Sequence, residues 1–125
     1  MSNVVWKKEV ERLPYYRKII CALENYFTEK NWRKLFLTGG CYWFANILHQ
    51  EIRDSIIMIN RIEEHCALYF ENGLYDVNGR ISVKNFHNAS EREISFMKKN
   101  YIPKFDQMKL EQYIQNTVFQ NGIEI

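Results

Sequence analysis

His65-Cys66-Ala67-Leu68-Tyr69-Phe70-Glu71-Asn72-Gly73-Leu74-Tyr75-Asp76-Val77 reads as a strand, a turn and a strand. Aromatic and apolar residues dominate both arms, and Glu71-Asn72-Gly73 carries the turn signal. Asn78-Gly79 is a second turn, with Arg80 to Val83 as a further strand or an extension of the third. Upstream, Ile56 to Ile59 is a short apolar β-like run. Neighbours in sequence pair in space, so this middle region is expected to be an antiparallel meander.

Helical texture flanks the meander. Phe44, Ile47, Leu48 and Ile52 recur at helical spacing, which predicts a helix from Cys41 to Asp54. Pro14 opens an earlier helix running to Lys30, with Tyr16, Ile19, Ile20, Leu23 and Phe27 on one face. Cys21 lies off that stripe. The segment from Asn31 to Leu37 reads as a connection. Downstream, Ser90-Glu91-Arg92-Glu93 fits a capping box, and its helix should stop before Pro103. Asp106 caps a last helix bearing Leu110, Tyr113, Ile114 and Val118, ended by Asn121-Gly122. Helices, a β-meander and helices again make an α+β pattern. A chain of 125 residues suits one domain over 1–125.

Composition narrows the partners. Hydrophobic residues make up 46% of the chain, which argues for a folded domain. Seventeen basic and 15 acidic residues leave a net charge of +2, giving no field suited to nucleic acid. No apolar run is long enough to cross a bilayer. The three cysteines, Cys21, Cys41 and Cys66, lack a disulfide pattern, so a reducing cytoplasmic location is expected. No C-x-x-C or H-x-x-x-H spacing suggests a metal, and Gly39-Gly40 lacks the lysine of a phosphate loop. No cofactor is expected.

The chemistry gathers around Cys41. It follows Gly39-Gly40 and starts a helix, where unpaired N–H groups favour a thiolate and suit a developing oxyanion. The glycine pair would allow a sharp turn and close substrate approach. His65 heads a strand and Asp76 lies in the next, so thiol, base and orienting acid occur in that order. Strand alternation turns Cys66 away from His65. With Asn72-Gly73 as the two-residue loop, Tyr69 pairs with Asp76, which then lies ~13 Å along the strand from His65. In that register Arg80 is opposite His65 and Asn78 is its diagonal neighbour. Asp76 therefore needs a bulge, an earlier turn or strong twist to reach His65. Asn78 remains an alternative orienter, with Asp76 then anchoring the Asn78-Gly79 turn. His49 sits two turns along the Cys41 helix, too far to serve the thiol, and His87 reads as a solvated loop residue.

These residues resemble the papain-like cysteine hydrolases in the wide sense, which include cell-wall endopeptidases and amidases and transglutaminase-like enzymes. The closer likeness is to small bacterial and phage members reading G-x-C … A … L … H … G-x-Y-D-x-x-G. Gly39, Cys41, Ala45, Leu48, His65, Gly73, Tyr75, Asp76 and Gly79 supply that pattern here, within residues 36–82. The resemblance implies a papain-like core with Cys41 as nucleophile, His65 as base and Asp76 as orienter. It implies attack on an amide or isopeptide bond of a peptide or protein, through a thioacyl-enzyme. The oxyanion hole would use the Cys41 N–H. No glutamine lies upstream to assist, and Thr38 or Asn31 are the available substitutes. The competing expectation is a non-catalytic binding or inhibitory module on the same fold, phage-borne, with Trp6, Trp32 and Trp43 as contact aromatics.

Overall fold

A computed structural model describes residues 15–37, 40–52 and 54–119. The chain divides into two compact units, Met1–Lys30 with Asp106–Ile125, and Asn31–Phe105. Pro14, Trp6, Thr38, Gly39 and Asn121-Gly122 lie outside the described residues.

In the first unit, α1 is helical over 15–26 and buries Tyr16, Ile19, Ala22 and Leu23. Cys21 is exposed, off the stripe as its spacing predicts. The last helix, here α4 (Gln107–Ile114), is capped by Asp106, whose carboxylate accepts from the Lys109 N–H. It continues as a π-helical turn over Gln115–Phe119. Leu110, Ile114 and Val118 are buried at helical spacing.

The second unit is α+β. A 3₁₀ turn (Trp32–Phe36) occupies what reads in sequence as a connection. Then come α2 (Cys41–Glu51), β1 (Ile56–Asn60), β2 (His65–Phe70), β3 (Gly73–Asp76), β4 (Gly79–Ile81), β5 (His87–Asn88) and α3 (Glu91–Asn100). The sheet is antiparallel, in the order β4-β3-β2-β1-β5. Its first four strands form the expected meander. Strand β5 is unexpected: two polar residues from a loop-like stretch pair with Met58 and Ile59 on the free side of β1. So short a polar strand has no alternation to read; the edge of β1 creates it. Helix α2 packs on β2 and burial centres there, with Phe44, Ile47 and Leu48 from the helix and Cys66, Leu68 and Phe70 from the strand.

The β2–β3 hairpin turns one residue earlier than the Asn72-Gly73 reading. Phe70 pairs with Gly73, so the loop is Glu71-Asn72. Both loop residues have positive φ, 51° and 63°, as a tight hairpin turn of matching twist requires. Gly73 is instead a strand residue. A Cβ there would lie 2.9 Å from the Tyr75 ring and 3.1 Å from Arg80 Nε, so its missing side chain makes room on that face. The Arg80 guanidinium then donates to the Asn72 carbonyl at 3.1 Å and braces the turn.

The capping box of α3 is complete. The Ser90 hydroxyl accepts from the Glu93 N–H at 3.1 Å, and the Glu93 carboxylate accepts from the Ser90 N–H at 2.9 Å. Ser90→Ala should lower stability by about 1 kcal/mol, read as a smaller urea midpoint at unchanged slope.

Candidate functional site

Cys41 and His65 both belong to the second unit, on α2 and β2. Cys41 is the first residue of α2, with Gly40 as N-cap. The Trp43 and Phe44 N–H groups both bond the Gly40 carbonyl. Helix geometry leaves the Cys41 and Tyr42 N–H groups with no acceptor inside the helix. Gly40 is not in a strained conformation, since its φ is −104°. Its role is close approach: a Cβ there would fall 1.7 Å from the Leu35 carbonyl oxygen and 3.2 Å from Phe36 Cα. The glycine therefore lets the 3₁₀ turn press backbone to backbone against the start of α2. That turn is also held by Arg33, which donates to the Val77 carbonyl at 2.9 Å and stacks on Trp32. Val77 follows Asp76 directly, so Arg33 ties the cysteine-bearing side of the unit to the acid-bearing hairpin. A contact spanning so much sequence leaves no local signal by which to find it.

The early turn settles the competition for His65. Ala67 lies opposite Asp76 once the register steps back, two residues from His65 and on its face. Such diagonal neighbours are within side-chain reach. The His65 Nε2–H donates to Asp76 Oδ2 at 2.9 Å, while Asp76 Oδ1 accepts from the Asn78 N–H at 2.8 Å. Asp76 thus orients the imidazole and anchors the following turn at once. Asn78 enters the arrangement through its backbone.

Asp76 is 6% exposed, and this buried carboxylate raises the His65 pKa from 6.5 to about 9. The Cys41 side chain adds to that rise, through a hydrogen bond and through its charge, against the opposing pull of burial. With Nε2 held by Asp76, Nδ1 is the ring nitrogen left for the thiol. Phe86 packs edge-on to the imidazole, with ring centroids 6.1 Å apart. The structure thus brings Cys41, His65 and Asp76 together.

The remaining thiols and histidines lie elsewhere. Cys66 is buried, and burial pushes its thiol pKa far up, which makes it unreactive. His49 donates to the Ser55 hydroxyl at 2.8 Å, and Ser55 in turn donates to the Ile52 carbonyl, closing the end of α2. His87 lies on β5 rather than in a loop and pairs with Glu93 at 2.9 Å. Among the described residues no group of three metal-ligating side chains occurs, and no helix is long and apolar enough to cross a membrane. Trp32 is buried in the core, and Trp43 is half-buried with its indole donating to the Tyr101 carbonyl. Tyr101 and Arg33 are the neighbours that sequence spacing did not single out.

No curated protein and no solved structure matches the chain. The sequence model of one family, described as Phage YunG-like protein, matches residues 19–115. That span takes in α2, the whole meander and α3, and by it the chain belongs to the Phage YunG-like family.

Proposed function

We propose that this protein is a cysteine-dependent hydrolase or acyltransferase of papain-like type, acting on an amide or isopeptide bond. The observation that carries the reading is His65, hydrogen-bonded to buried Asp76 at 2.9 Å and facing Cys41 as its second partner. A His65 pKa near 9 keeps the ring protonated at neutral pH, the state that pairs with a thiolate. Cys41 sulfur attacks the carbonyl carbon, and the new oxyanion takes the Cys41 N–H at the start of α2. His65 then gives its proton to the leaving amine as the C–N bond breaks. In the thioester, neutral His65 takes a proton from water or an acceptor amine. That nucleophile displaces the sulfur, and free enzyme is restored. A working thiol requires a reducing compartment, which fits the cytoplasm.

Site-resolved alkylation tests this. Cys21 is exposed and Cys41 is 1% exposed, so accessibility alone favours Cys21. We expect iodoacetamide at pH 7 to modify Cys41 at least about tenfold faster than Cys21, and His65→Ala to reverse the order. Faster modification of Cys21 in the wild-type protein would sink the catalytic reading.

That 1% exposure also favours a second reading, a non-catalytic binding module on the same fold. Capture of a partner that survives Cys41→Ala, joined to slow alkylation of Cys41, is its signature.

A further inference from the structure

A cleft of about 360 Å³ lies between α3 and the β1–β2 turn. Ile59, Phe96 and Tyr101 form its apolar wall. The Phe96 and Tyr101 rings stand edge to face, 6.4 Å apart, and Phe96 is 57% exposed. Tyr101 is tied to the catalytic helix, because the Trp43 indole, two residues after Cys41, donates to its carbonyl. The phenol also feels the site: burial and then the charge of Cys41 raise its pKa. The polar rim is balanced. Arg61 and Glu93 approach to 3.9 Å, leaving Arg92 and Glu64 as one further charge of each sign.

Resting on the thiol chemistry above, we propose that this cleft is the substrate pocket of the Cys41 site. It takes a large, uncharged apolar side chain on the residue that supplies the scissile carbonyl. The acyl half of a substrate stays bonded to sulfur through the thioester, so a cleft whose Tyr101 wall is tied to the Cys41 helix serves it in both steps. An aromatic wall provides burial for an apolar group, and a rim without net charge gives no preference for an acidic or basic one.

Peptidyl chloromethyl ketones test the pocket, since the thiolate displaces chloride and forms one S–C bond. Rates at Cys41 are read by site-resolved mass spectrometry for N-acetyl-phenylalanyl, N-acetyl-glycyl, N-acetyl-aspartyl and N-acetyl-lysyl reagents. The phenylalanyl reagent should react at least about tenfold faster than each of the others. Phe96→Ala should shrink that ratio to below about threefold. Ile62→Ala, a 79% exposed residue outside the cleft, should leave it as it is. A ratio near one, a faster charged reagent, or a ratio untouched by Phe96→Ala overturns the pocket. If iodoacetamide still favours Cys41 in that case, the thiol chemistry stands and only the pocket falls. If iodoacetamide favours Cys21, both fall.

Discussion

Gly40→Ala is expected to lower stability by about 3 kcal/mol or more, enough to leave much of the chain unfolded at 37 °C. The added methyl would sit 1.7 Å from the Leu35 carbonyl oxygen and 2.8 Å from its carbon. Both are backbone atoms, so no rotamer change relieves the overlap. The 3₁₀ turn must move off α2, and Phe36, fully buried at the end of that turn, must move with it. A urea melt followed by far-UV circular dichroism measures the loss. Variants that still fold should also alkylate more slowly at Cys41, because the displaced turn carries the Arg33 tie to Val77. A midpoint within experimental error of wild type would mean that the 3₁₀ turn and α2 do not touch as described.

Asp76→Asn should return the His65 pKa from about 9 towards its ordinary value, a fall of about 1–3 pH units. The amide can still accept from the Asn78 N–H, so the turn is kept while the charge is lost. Asp76→Ala removes both bonds and should cost more, about 3–5 kcal/mol for a buried charged partner left unpaired. The pH dependence follows from the sign of the shift. His65 has a higher pKa folded than unfolded, so its stabilisation is complete below pH 6.5 and is lost as pH rises through about 9. Screening at a partly exposed ring keeps that contribution to ~1–2 kcal/mol. Wild-type stability should decline across this window, and Asp76→Asn should flatten the decline. In the proposed mechanism the same protonated form donates to the leaving amine, so turnover should also fall as pH passes about 9. NMR titration of the His65 ring protons reads the pKa directly. An unchanged value in Asp76→Asn would remove Asp76 as the orienting group.

The elements were legible where one local rule governs them. Strand β2 starts and ends where its apolar run does, and the Ser90 box and Asp106 cap close as their spacing demands. Helix α2 begins at Cys41 as expected and stops at Glu51, short of Asp54, where φ is 63°. The hairpin loop falls one position before the Asn72-Gly73 pair, the earlier turn that contact between Asp76 and His65 needs, although asparagine followed by glycine is the stronger local signal. Gly73 is used for the space it leaves beside Tyr75 and Arg80, a demand that appears only once the strands pair. Gly40 shows the same limit. Its glycine was legible, but its reason lies in a backbone five residues upstream folded against it.

Taken alone, the order of residues determined the α+β class, the meander, and the chemical types Cys41, His65 and Asp76 in sequence. Periodicity and capping are short-range, and a chain displays them before it folds. Only the tertiary structure decided between Asp76 and Asn78. A strand face alternates every residue, and one early turn steps the pairing by two residues. That step carries Asp76 from ~13 Å away to hydrogen-bond contact with His65.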